Sequence, residues 1–122
     1  MPAYAPPGWP DQVRPPDAPG WEETAASWLL DRCPSDYRRY TGLRRHLVVL
    51  ARFAVLHVEA DQAAIRRGLS EARADLGQVA TPAVVEAAVQ TLLLEDARLS
   101  AVRREVGLVE DAIRGRRYVA RL

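Results

Sequence analysis

The side chains best suited to chemistry in this sequence are one cysteine, Cys33, and two histidines, His46 and His57. A thiol beside an imidazole can serve as an activated nucleophile, and that pairing needs only spatial proximity. Nothing in the spacing brings these residues together, and a cysteine between a helix and Pro34 is more often simply packed. Metal binding needs several ligands at short range, yet the chain holds no C-x-x-C, H-E-x-x-H or Glu-x-x-His spacing. The expectation is therefore no catalytic residue, no cofactor and no metal site, with His57 hydrogen-bonded at a helix interface.

Arginine is the other chemically assertive residue. All 17 basic side chains are Arg, and Lys and Asn are absent, a bias typical of GC-rich coding. A net charge of +1 gives no global attraction to nucleic acid, so any such role rests on local clustering. Residues 36–53 carry +4 and residues 103–122 carry +3, whereas residues 54–102 carry −3. Interleaved with Tyr37, Tyr40 and Tyr118, such a basic pole can grip phosphates and stack bases. Arg44, Arg45, Arg114, Arg116, Arg117 and Tyr118 are the contact residues this reading selects. The competing and weightier reading is a solvated Arg-rich surface in an Arg-biased chain.

The elements that must position these residues read as helical. Residues 1–20 hold seven prolines, which remove backbone donors and favour an extended arm. A repeat within the arm, Pro7-Gly8-Trp9 and Pro19-Gly20-Trp21, supplies two indoles, and Trp9 is expected to dock on the body. Residues 21–122 form one helical domain with helices over about 21–32, 43–76 and 82–114. Glu22 and Glu23 suit the first helix's opening turn, and Cys33-Pro34 stops it. Gly77 ends the second helix, Thr81 caps the third, Pro82 takes its first position, and Gly115 closes it. A connection of about five residues makes the long pair antiparallel.

The register of that hairpin is legible in steps of three and four. One seam runs Val48, Ala51, Val55, Val58, Gln62, Ile65, Leu69, Ala72, Leu76. The other runs Val85, Ala88, Leu92, Glu95, Leu99, Val102, Val106, Val109, Ile113. Folding at the loop pairs positions whose numbers sum to 157, which sets Gln62 against Glu95, the one polar member of each seam. An amide donating to a carboxylate would lower the cost of burying either.

Leu47, Leu50, Phe53, Ala54 and Leu56 lie off the seam and require another cover. The first helix, with Trp21, Ala25, Trp28 and Leu29 on one face, is the expected one. Val84, Val89, Leu93 and Leu94 add apolar surface to the stalk, and Val89, Leu93 and Leu94 are the expected self-association residues. The P-x-x-P spacings of the arm read better as structure than as a ligand motif.

Hydrophobic residues at 48% and charged residues at 27% exclude wholesale disorder. The run Leu47 to Val58 is too short for a membrane span and contains Arg52 and His57. No secretory signal opens the chain, and a single cysteine fits a reducing compartment, so a cytoplasmic setting is expected.

The strings Pro6-Pro7-Gly8-Trp9-Pro10, Trp28 to Arg38, Leu43-Arg44-Arg45-His46 and Arg114 to Val119 together resemble a family of short proteins of high-GC Gram-positive bacteria that has no assigned activity. The likeness spans nearly the whole chain. It implies a bacterial, cytosolic setting and carries over no functional residue. Members of that family often carry proline after the histidine, where Leu47 stands here. The expected function is a non-enzymatic helical interaction or adaptor protein that holds a protein partner or a second copy of itself. The alternative is a nucleic-acid-associated protein using the Arg-rich pole.

Overall fold

Apolar spacing of three and four residues does produce two long helices. In the computed structural model, which describes residues 4–116, α1 spans Trp21–Asp31, α2 Leu47–Leu76 and α3 Pro82–Ile113. Two short 3-10 turns, Ser35–Arg39 and Thr41–Arg45, join α1 to α2. The fold is all-helical, with no strand among the described residues.

The boundaries follow local chemistry. Thr81 Oγ1 accepts from the Val84 amide at 3.3 Å, and Pro82 occupies the first turn, where its missing N–H costs nothing. Gly115 ends α3 at φ 76°, a left-handed conformation open to glycine. One boundary differs from expectation: α2 begins at Leu47, four residues later than Leu43. His46 adopts φ −120° and ψ 70°, outside the helical region, and residues 41–45 wind more tightly instead. That detour lets Leu43 pack against the core rather than extend the rod into solvent.

α2 and α3 lie antiparallel and pack along their length. Their register differs from the sequence reading. Cross-helix contacts join Gln62 to Asp96 and Ser100, Arg66 to Asp96, Arg73 to Glu86, Glu59 to Arg103 and Arg52 to Glu110. These contacts join positions whose numbers sum to 158–162 rather than 157. Leu92 packs close against the α2 backbone, where a Cβ at Gly68 would meet its Cδ1 at 3.2 Å.

The expected Gln62–Glu95 layer does not form. Gln62 Nε2 donates to Ser100 Oγ at 2.6 Å and to Asp96 Oδ1 at 3.2 Å, while Glu95 accepts from Arg98 Nε on its own helix at 3.0 Å. Once α3 is offset, Glu95 moves to the edge, where an arginine three residues on neutralises it. The ends of the seam also open, with Val48 and Leu76 exposed.

The core sits at the open end of the hairpin. Leu29 of α1, Leu50 and Val55 of α2, and Val106 and Val109 of α3 are fully buried together with Pro10 of the arm. Trp9 docks as expected: its indole Nε1 donates to the Val13 carbonyl at 2.8 Å, and Gly8 lies against Leu108 of α3. The Arg14 amide donates to Thr24 Oγ1 at 3.0 Å, fastening the arm to α1.

Two substitutions probe this packing. Trp28 is buried beneath the Arg32 guanidinium, so Trp28→Ala should cost about 3–5 kcal/mol in chemical unfolding; an unchanged midpoint would contradict the placement of α1. Gln62→Leu should cost only about 0.5–1.5 kcal/mol, because Asp96 keeps Arg66. A loss well above that range would restore a buried carboxylate opposite Gln62.

Candidate interaction surface

α1 covers only one flank of α2. Leu50 and Ala54 are fully buried and Leu47 partly so, but Phe53 is 37% exposed and Leu56 53% exposed, contrary to the expectation that α1 shields them all. With Val49, Ala60, Ala63 and Ala64, also exposed, they form an outer stripe of α2 carrying no charge before Arg67. Four turns of helix thus present an apolar face of about 22 Å to solvent.

The 3-10 turns build a wall along one edge of this stripe. Tyr37 anchors it, with its ring edge-on to Tyr40, Phe53 and His57 at centroid distances of 6.0, 6.2 and 5.1 Å. Tyr37 is held by a 2.8 Å hydrogen bond between its hydroxyl and His57 Nε2. Between wall and helix lies an open depression of about 450 Å³ lined by Tyr37, Tyr40, Gly42, Leu43 and Phe53. His57 thus makes the interface hydrogen bond its position suggested, though to a 3-10 turn rather than to α3.

The basic pole is assembled in part. Arg45 and Ile113 line a single depression, so the two Arg-rich segments meet at the open end. Arg114 and Arg116 are nevertheless spent on acids, 3.5 Å from Glu110 Oε2 and 3.1 Å from Asp111 Oδ1. Arg38 pairs with Asp31, and Arg44 Nη1 donates to Ser27 Oγ at 3.1 Å. Arg39 lies 5.5 Å over the Tyr40 ring, and neither it nor Arg45 has an ion pair among the described residues. Arg117 and Tyr118 lie outside the described residues.

On α3, Leu93 and Leu94 are exposed, as a surface role requires. Val89 is not: it is buried in the hairpin beside the seam residue Val85. It is therefore core and not a surface contact.

Sequence reasoning missed Glu110, the one buried charged side chain among the described residues. Its carboxylate lies 3.3 Å from Arg52 Nε and 3.5 Å from Arg114 Nη2, close enough for ion pairing. The Arg52 contact is misaligned for a hydrogen bond, leaving both Nε and Oε2 without one. Glu110 follows the seam residue Val109 directly, and that adjacency to the interface was the available signal.

Burial pushes the Cys33 thiol up to about 11, which keeps it protonated at neutral pH, and His57 is engaged by Tyr37. No group of three or more His, Cys, Asp or Glu is placed to hold a metal ion among the described residues. Among the described residues no helix is long and apolar enough to cross a membrane.

Glu110→Gln removes the buried charge while keeping its shape, and should cost about 1–3 kcal/mol in urea unfolding. The figure falls below that for a fully buried pair because Arg52 and Arg114 remain over a third exposed. A neutral result would mean that the carboxylate contributes nothing to closing the open end.

No family model, curated protein or solved structure matches the chain.

Proposed function

We propose that this chain is a non-enzymatic helical interaction protein whose docking surface is the outer face of α2 together with its Tyr37–Tyr40 wall. The observation that carries the reading is the uncovered apolar stripe beside an ordered aromatic depression. Phe53 and Leu56 stay wet although the protein owns a helix and an arm that cover other apolar faces. Contiguous apolar surface rimmed by polar groups is what partner proteins bury. A bacterial cytoplasm is the setting we assign, on the single cysteine and the sequence resemblance.

Nucleic-acid binding is the second reading, favoured by Arg39 stacked on Tyr40 and by Arg45 without an ion pair. Against it stands the neutralisation of Arg114 and Arg116 by Glu110 and Asp111 of the last turn of α3.

Phe53→Asp with Leu56→Asp should separate the readings. Leu56 is exposed and Phe53 packs only against Tyr37 at the rim, so the melting point should fall by a few degrees at most while capture of protein partners from the native host falls at least tenfold, with little salt dependence. If capture is unchanged and single-stranded DNA instead binds the protein with an affinity that falls steeply between about 50 and 200 mM salt, the pole is the working surface.

A further inference from the structure

Resting on the interaction reading above, we infer that the outer face of α2 takes an acidic amphipathic helix of another protein. The apolar row of that helix lies on Val49, Phe53 and Leu56, and its carboxylates meet Arg39 and Arg45.

Charge selects the partner. Residues 37–58 contain five Arg and no Asp or Glu, and even with Asp36 counted the segment 36–53 carries +4. Two of the five are neutralised within the molecule, Arg38 by Asp31 and Arg52 by Glu110. Arg44 donates to Ser27 Oγ, a hydroxyl that leaves its charge uncompensated. Arg39 and Arg45 are exposed and have no ion pair among the described residues. Glu22 lines the same depression as Arg45, yet the two do not pair. The acids of α2 begin only at Glu59 and Asp61, beyond Leu56, and Glu59 is taken up by Arg103.

Placement joins these charges to the apolar surface. Arg39 lies 5.5 Å over the ring of Tyr40, which lines the aromatic depression with Phe53. Arg45 lines a second depression with Val48 and Val49. One guanidinium therefore stands on the wall and the other at the head of the stripe. A carboxylate arriving at either gains a charge-assisted hydrogen bond without displacing an internal acid. A basic partner would set like charges together at both points.

Shape selects a single helix. The stripe is four turns long and about as wide as one helix, roughly 22 by 10 Å. A stable globular pair needs about 800 Å² on each side, well above this strip. Positions 49, 53, 56 and 60 advance in steps of four and three, the spacing at which an amphipathic helix sets its own anchors. At the far end the exposed Ala60, Ala63 and Ala64 let a second helix axis approach closely. The exposed Leu93–Leu94 patch of α3 lacks the unpaired cations, since Glu95 and Arg98 beside it are joined to each other.

The test titrates the full chain at low salt with three synthetic helical peptides of about sixteen residues. One carries a Leu row flanked by Glu, one has Lys in place of Glu, and one keeps Glu but has Ser in place of Leu. The Glu–Leu peptide should bind at least tenfold tighter than the Lys–Leu peptide, and the Glu–Ser peptide should not bind at ~1 mM. Arg39→Glu with Arg45→Glu should reverse the order of the first two, and Phe53→Ser with Leu56→Ser should weaken the Glu–Leu peptide at least tenfold. Equal binding of the Glu–Leu and Lys–Leu peptides would overturn the acidic partner and leave the docking surface standing. Glu–Ser binding as tight as Glu–Leu, or single-stranded DNA displacing the Glu–Leu peptide, would show that the arginines hold any polyanion and would overturn it too. A dimer in sedimentation that Phe53→Ser with Leu56→Ser dissociates would give the face to a second copy instead. If no peptide binds, the acidic helix falls. Loss of capture in Phe53→Asp with Leu56→Asp then keeps the docking surface, and unchanged capture removes both.

Discussion

The packing of α3 along α2 is the constraint on which the rest of the molecule depends. Two long helices with similar apolar spacing can slide against each other at small energetic cost, because one turn of displacement still sets apolar rows together. The placement found here is the one that brings the cross-helix polar ties together, with Leu92 close against Gly68. From it follow the pairing of Gln62 with Ser100 and Asp96, the burial of Val89 in the hairpin, and the meeting of Arg52 with Glu110 at the open end. The Asp96 carboxyl is held below the usual range by Arg66 foremost and by Gln62, so the same register also fixes a polar tie between the rods.

With the rods in place, apolar surface at the open end exceeds what α3 can cover. The arm and α1 take up most of it: Pro10, Val13 and Trp28 are buried, and Leu50 and Ala54 have no exposure left. Coverage stops at the edge marked by Tyr37. The two 3-10 turns bring aromatic rings up to Phe53 without crossing the helix, and they do so because His46 leaves the helical region and delays the start of α2. A continuous helix from Leu43 would have erased both the wall and the depression it bounds.

Much of the architecture was legible in the sequence, since helix caps and breakers are local. Thr81-Pro82, Gly115 and Cys33-Pro34 each act within a turn, and the all-helical hairpin with a docked Trp9 follows from them and from periodicity. Register was not legible, because several slides of two rods with similar apolar spacing bury comparable rows, and the pattern alone does not choose among them. For the same reason the Gln62–Glu95 layer failed while Gln62 remained an interface residue. The candidate surface was half legible: exposed Leu93 and Leu94 were foreseen, but the decisive stripe on α2 was assigned to burial under α1. The width that an eleven-residue helix can shield is not written in its sequence.

The most direct measurement is the rate of thiol labelling at single cysteines placed along α2 in a Cys33→Ala background, at protein concentrations low enough to keep the chain monomeric. Cysteines at positions 53, 56 and 60 should react at rates near those of an unfolded peptide, while those at 51, 55 and 58 should be slowed by orders of magnitude. Protection at 53 and 56 equal to that at 51 and 55 would show that the outer face is already covered, contradicting the claim that it awaits a partner.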